Sequence, residues 1–461
     1  MFLEVSLKLK IICLCTAFSL CSEAHADLLL DLYQKGAEKN LAVNAEQSAY
    51  LAGIEGEKQS FAQFLPNLKL TANVRYTDQE SWSSSDNLLR YQAEQKSTTD
   101  SRQVELSVDQ LLFDLSTYHN FEASKLNTIQ AKVRFQKAVS NYTNDYLVAY
   151  FEVVKAREKL LFIQETLGAY ADQNNIINSR YAFGLVKISE VKESESQQLK
   201  VKAQEALAQN DLSIAFEKLS LLTQTEVSAI QVLTAEVPVL HQPQQKLASL
   251  QNKYEKNLDY KLAVLDQSVA ARKLKAQQSK HLPTVTGRLS YTDNDDDNTY
   301  NYKATDSLER RGWNAGVYLE MPLYSGGATS SASEAAKLSV EQRRYLKQLK
   351  GHEVKQQIIA SFSTLNAMHS SIMANGEAVK AAELALKSAE DEYFTGVGPF
   401  SRVLDNRAKL LSENLSLIQD KYDYMARFVA LKELVGELTI EEVSYFSNLF
   451  GGEIAHKSNI K

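Results

Sequence analysis

The seven histidines (His25, His119, His241, His281, His352, His369 and His456) are scattered, with no two standing three or four residues apart. All three cysteines, Cys13, Cys15 and Cys21, fall within the first 21 residues. Zinc chemistry needs His, Cys or carboxylate ligands at short helical or loop spacings, and none is present. There is no Walker A segment and no G-x-S-x-G, and Gly396-Val397-Gly398 is too short for a dinucleotide loop. The Asp293 to Asp297 run could attract Ca²⁺, but it lacks the spacing of an EF-hand and reads as a solvated outer loop. No catalytic residue, cofactor site or metal site is expected, and so no enzyme. What remains is charge in an alternating pattern: Lys69, Arg75, Glu105, Arg288 and Glu320 each stand between non-polar neighbours, and Asp109 follows Val108. Side chains alternate faces along a strand, so these charges line one wetted wall.

The elements that carry them are four amphipathic strands. Leu68, Leu70, Ala72, Val74 and Tyr76 alternate with polar residues after Pro66, and Val104, Leu106 and Val108 do so after a Ser-rich stretch. Val285, Gly287, Leu289 and Tyr291 repeat the pattern after Pro283. Past the Asp-rich loop, Trp313, Ala315, Val317, Leu319 and Met321 repeat it again. Strands are expected at about 67–77, 102–113, 284–292 and 312–323. Each is about 9–12 residues long, close to the 9–11 that a tilted membrane-spanning strand requires. Tyr76, Tyr291 and Trp313 suit the membrane–water interface.

Between the strands, Gly and Pro nearly vanish. The chain has 461 residues with 17 Gly and 6 Pro, about 5% together against roughly 12% in ordinary proteins. Turns consume these residues, so long uninterrupted elements follow. From Val354 to Tyr393 and from Leu404 to Val429, apolar residues recur at spacings of four and three, the seam of a coiled coil. Helical hairpins are expected at about 116–224 and 328–436. A helix of roughly 66 residues is ~100 Å long.

The pattern occurs twice. Phe64-Leu65-Pro66-Asn67-Leu68 recurs as His281-Leu282-Pro283-Thr284-Val285, and Arg180-Tyr181-Ala182-Phe183-Gly184 as Glu392-Tyr393-Phe394-Thr395-Gly396. One duplication therefore gives a first repeat at 27–237, a linker at 238–243, a second repeat at 244–436 and a C-terminal segment at 437–461. Lys8 and Lys10, the apolar run Ile11 to Leu20 and Ala24-His25-Ala26 read as a cleaved signal peptide, 1–26. Export follows. Net charge is −6, which gives no basis for a nucleic-acid partner.

An apolar strand face needs lipid or a core to cover it. Four strands cannot close a barrel, and open edges are not tolerated in a bilayer. Strands that span a membrane would thus require an oligomer, with dimers giving eight strands and trimers twelve. A trimeric coiled-coil surface adhesin or structural stalk is the rival reading, although two antiparallel hairpins do not suit a stalk.

The order of elements resembles the TolC family. So do the duplicated L-P-x-L start, Gly184-Leu185-Val186-Lys187-Ile188-Ser189-Glu190-Val191, Pro322-Leu323-Tyr324-Ser325-Gly326-Gly327 and Leu434-Val435-Gly436-Glu437-Leu438. The resemblance implies a mixed α+β membrane protein, a homotrimer with a twelve-stranded outer-membrane β-barrel and a periplasmic α-barrel tunnel. It implies the exit duct of an efflux pump or type I secretion system of a Gram-negative cell. Its partners would be outer-membrane lipid, a periplasmic adaptor and an inner-membrane ABC or RND transporter. It also implies a gate at the hairpin turns, mapped here to Tyr393, Ser189, Glu190 and Asp405. Two positions depart from that pattern: Arg402 replaces an acid, and Gly398 stands where a tethering arginine belongs. An Arg402–Glu190 pair is the expected substitute for the tether.

Overall fold

The computed structural model describes residues 28–85, 91–227, 229–233, 246–300 and 304–455. The expected signal peptide and the 238–243 linker lie outside them. Helices α1 (Leu28–Lys39) and α2 (Leu41–Ala62) lead into strands β1 (Asn67–Ser85) and β2 (Tyr91–Phe113). Helices α3 (Leu115–Ala182) and α4 (Ile188–Thr223) form the first hairpin. After β3 (Ala229–Leu233), α5 (Lys246–Gln251) and a 3₁₀ turn (Asn252–Lys256), helix α6 (Leu258–Ser279) leads into β4 (Thr284–Tyr300) and β5 (Ala304–Glu320). The second hairpin is α7 (Ala328–Phe394) and α8 (Phe400–Leu434), followed by α9 (Ile440–Ser447) and β6 (Phe450–Ala455).

Strands β1-β2-β4-β5 form one antiparallel sheet, and β3-β6 form a small second one. Directly opposed residues share a face. Leu70 stands opposite Leu106, Leu106 opposite Tyr291, and Tyr291 opposite Trp313. The row below runs Leu68, Val108, Leu289, Ala315. These rows merge into one apolar face, and it is bare: Val74 is 86% exposed and Val317 71%. From Leu68 to Tyr76 it runs about 27 Å along the strand, comparable to the ~25 Å apolar band of outer-membrane barrels.

All four strands end differently from the expected limits. β1 and β2 continue through the Ser-rich stretch to 85 and back to 91. β4 and β5 continue through the Asp-rich run to 300 and back to 304, and β5 stops at Glu320 rather than 323. The run Asp293–Asp297 is therefore strand, not loop. Backbone pairing needs no apolar side chain, and where both faces meet water the period-two signal disappears. Polar cross-strand pairs hold these extensions instead: Arg311 with Asp293 at 3.1 Å, Lys96 with Glu80 at 2.7 Å, and Thr99 donating to Asn298 at 2.7 Å.

The two long helices, of 68 and 67 residues, each run about 100 Å. Near the sheet, α2 and α6 pack on α3, and α6 also packs on α7. Toward the turns, α4 pairs with α3, α8 pairs with α7, and α3 with α8 joins the hairpins. Val354, Ile358, Leu365, Ile372, Val379, Ala382 and Ala389 are buried along α7, and Leu404, Leu411, Ile418, Met425 and Val429 along α8. Those are the seam positions the sequence spacing marks.

Midway along α3, aromatic residues gather a collar. Tyr142, Tyr146 and Tyr150 are spaced by four, so they share one face. Tyr146 donates to the Leu29 carbonyl at 2.6 Å, and the Tyr150 hydroxyl accepts from Gln231 N at 2.8 Å. Tyr150 and Phe151 stack edgewise on Phe450 and Phe446, ring centroids 5.5 and 5.2 Å apart. The C-terminal segment is thereby sewn to the middle of the long helix. Gly36 belongs to this packing, because a Cβ there would lie 2.2 Å from the Tyr142 hydroxyl.

Candidate functional site: a charged strand face and the paired hairpin turns

The second face of the large sheet carries the charges. By register Asn67, Asp109, Arg288 and Gly316 form one row, Lys69, Ser107, Ser290 and Asn314 the next, and Thr71, Glu105, Thr292 and Gly312 a third. Arg75 stands opposite Ser101, and Glu320 opposite Thr284. All six charged residues singled out in the sequence thus lie on the face opposite the apolar one. Two of them pair in a fork: Arg288 Nε donates to Asp109 Oδ1 at 2.6 Å and Nη2 to Oδ2 at 3.2 Å. Such bidentate geometry fixes both side chains against the wall. The outer strands β1 and β5 each have one edge with no strand beside it among the described residues.

The hairpin turns are built alike. Gly184 N donates to the Tyr181 carbonyl and Leu185 N to that of Arg180, at 2.8 and 2.9 Å. Gly396 N donates to Tyr393 and Val397 N to Glu392, at 3.1 and 2.9 Å. Both are Schellman closures, which require a left-handed residue after the helix; φ is +73° at Gly184 and +82° at Gly396. Past each closure the tip presents apolar side chains to solvent, Phe183 and Leu185 on one and Val397 on the other.

Beside the turns the structure brings Tyr393 and Glu190 together, the Tyr393 hydroxyl donating to Glu190 Oε2 at 3.0 Å. Burial first, and then this carboxylate, raise the tyrosine's pKa above its ordinary value. Arg402 does not reach Glu190. It donates to Glu392 Oε2 at 2.6 Å, ten residues back across its own turn. Gly398 explains the exchange: a Cβ there would press within 3.0 Å of Glu392 Cβ and 3.2 Å of its Oε2. A tethering arginine at 398 would displace the carboxylate that Arg402 uses. Asp405 is exposed, and with Ser189 it lines an open groove of about 560 Å³ between α4 and α8 that also holds Lys192, Glu193 and Lys200.

Sequence reasoning missed two arginines. The Arg180 guanidinium lies 5.1 Å from the Tyr393 ring centroid, and that of Arg407 lies 5.4 Å from Tyr170. Arg407 also donates to Glu390 at 2.5 Å. No spacing in the sequence marks either contact, because only the packing of one hairpin on the other brings these residues together.

Among the described residues no cluster of three potential metal ligands occurs, and no helix is long and apolar enough to cross a membrane. A sheet with one bilayer-high apolar face and one charged face, set on 100 Å hairpins, defines a membrane channel built from strands rather than helices. The outer membrane efflux protein family model matches residues 32–224 and 250–437, and the chain belongs to that family. It is 26% identical to outer membrane protein TolC of Vibrio cholerae over 433 residues, covering 92% of this chain and 94% of that protein. To TolC of Escherichia coli it is 24% identical, covering 93% and 86%. Among solved structures it shares the fold of CusC, described in terms of folding and transmembrane channel formation. That match has a TM-score of 0.74 at 16% identity, over 91% of this chain and 95% of that one.

Proposed function

We propose that three copies of this chain form the exit duct through which an efflux pump or a type I secretion system discharges across the outer membrane. The observation that carries this is the sheet: four strands in fixed register, one apolar face about as tall as the lipid-facing band of a barrel, and two edges with no strand beside them among the described residues. A single copy would leave those edges unpaired in lipid at several kcal/mol per backbone group. Three copies joined β5 to β1 make a closed barrel of twelve strands, its charged face inward around water and its apolar face on lipid. The helices carry a matching signal. On α4, Leu199, Leu207, Ile214 and Leu221 stay exposed at spacings of seven and eight, a coiled-coil seam left for a neighbouring copy.

In this assembly the two repeats, 27–237 and 244–436, line a hollow helical cylinder that extends into the periplasm, with residues 437–461 in its collar. The bare apolar tips at Leu185 and Val397 suit docking by a periplasmic adaptor, which links the duct to an ABC or RND transporter in the inner membrane. Tyr393, Glu190, Ser189, Arg402 and Asp405 ring the tip end, where the aperture is set. The duct moves cargo and transforms none.

The test is expression in a strain lacking its own duct, followed by fractionation. The protein is expected in the outer membrane as a band that migrates as a trimer until heated, and export of toxic solutes should be restored with a cognate adaptor and transporter. Recovery as a soluble monomer without restored export would defeat the proposal.

A further inference from the structure

The strand junction between the two halves of the chain is a template for the junction between copies. In the duplication Leu68 of β1 corresponds to Val285 of β4, and so Val74 corresponds to Tyr291. The two strand hairpins share one register: Asn67 opens β1 opposite Asp109, and its counterpart Thr284 opens β4 opposite Glu320. Asp109 of β2 therefore corresponds to Glu320 of β5, and Leu106 to Val317. Inside the chain β2 meets β4 with Leu106 opposite Tyr291. Carried to the outer edges of the sheet, that pairing sets Val317 opposite Val74 of the next copy.

Charge selects the same register. Slips come in steps of two residues, because a slip of one would turn the apolar side chains inward. Beyond the apolar band, on the lipid-side face, Lys96 pairs with Glu80 at 2.7 Å and Arg311 with Asp293 at 3.1 Å. With Val317 opposite Val74, Arg311 stands opposite Glu80 of the next copy. The two ion pairs then join into one row of alternating sign, Asp293, Arg311, Glu80, Lys96. A slip of two residues one way sets Glu309 opposite Glu80, two like charges; the other way sets Arg311 opposite Trp82.

The height of the apolar band agrees. The row of Tyr76 runs through Asp100 and Asp297 to Ser307 on β5, but the band on β5 ends at Trp313, six residues nearer the helices. Over three strand steps the band thus descends two residues per step. In the same register Trp313 faces Asp78 of the next copy, and two residues below Asp78 stands Tyr76. The interfacial aromatic residues meet themselves around the ring.

We infer that β5 and β1 of adjacent copies pair antiparallel in this one register, with Val317 opposite Val74 and Arg311 opposite Glu80. The inference rests on the trimeric duct proposed above. Pairing runs from Glu320 opposite Thr71 to Asp306 opposite Ser85, so junctions within and between copies alternate as near-equivalents and the ring closes head to tail.

Disulfide trapping tests this. The chain's cysteines, Cys13, Cys15 and Cys21, all lie in the expected signal peptide, so introduced thiols have no competitors. Val317→Cys with Val74→Cys faces outward and Tyr318→Cys with Asn73→Cys faces inward, which samples both kinds of cross-strand pair. After oxidation in outer-membrane fractions and boiling without reductant, at least one of these should give covalently linked dimers and trimers. Their yield should exceed at least about fivefold that of the same β5 cysteine with its partner moved two residues. The moved partners are Ala72→Cys or Tyr76→Cys for the outward pair, and Thr71→Cys or Arg75→Cys for the inward one. Strongest linking in a moved pair overturns the register. A trimer that persists until boiled but links in none of these variants overturns the pairing of β5 with β1. No trimer band even in the wild type overturns the duct on which the inference rests.

Discussion

Glu433 lies near the C-terminal end of α8, beside a cavity of about 310 Å³ bounded also by Lys137, Asn141, Asp259 and Gln357. Burial raises its carboxyl from 4.5 to about 7; Asp145 and Asp259 add to the rise and Lys137 opposes it. With its amide nitrogen turned toward Glu433, Asn141 donates to Oε1 at 2.8 Å. A carboxyl with a raised native pKa holds its proton more tightly folded than unfolded. Its contribution is therefore fully present below pH 4.5 and is lost as pH rises through 7. At about 1.4 kcal/mol per tenfold change in proton affinity, the loss by pH 8 is about 3 kcal/mol per chain. Glu433→Gln keeps the hydrogen-bond acceptor and removes the titration. It should match wild type near pH 4.5 and exceed it by that amount at pH 8. With an unfolding entropy of about 2 cal/mol/K per residue, the gain is roughly 3 °C in Tm. Circular dichroism melts of the detergent-solubilised protein from pH 4.5 to 8 measure it. Parallel wild-type and variant profiles, or a variant less stable at pH 8, refute the reasoning.

Three other outcomes follow from particular contacts. Arg288→Ala leaves Asp109 without its forked partner, so the channel's reversal potential in a salt gradient should shift toward cation selectivity. Val317→Arg places a charge in the middle of the apolar face and should cost about 2–4 kcal/mol, read as a fall in the yield of membrane-inserted protein. Gly36→Val drives a side chain into the Tyr142 hydroxyl, with an expected cost of about 1–3 kcal/mol and earlier protease cleavage at the collar.

Periodicity made the membrane band and the long helices legible in the sequence. Alternation at Leu68 to Tyr76 survives because one face must be apolar, and the heptads of α8 survive because α3 and α7 bury them. Beyond the band both faces are wet, so Ser81–Ser85 and Asp293–Tyr300 left no pattern, although they are strand. At the tip, the repeat marked the duplicated turns, and the family resemblance placed Tyr393 beside Glu190. Arg402 was misassigned because spacing alone cannot show that Gly398 leaves Glu392 within its reach. Arg180 and Arg407 were missed for a related reason. A cation on a ring face has no spacing signature, and only the packing of the two hairpins brings them together.

The central claim is that copies of this chain close around a continuous water-filled passage. Electron cryomicroscopy of the protein purified from the outer membrane in detergent tests it most directly. Three copies, with β5 of each hydrogen-bonded to β1 of the next and a hollow helical cylinder below, are predicted. A dimer, an open sheet or a helical bundle with a solid core would contradict the account.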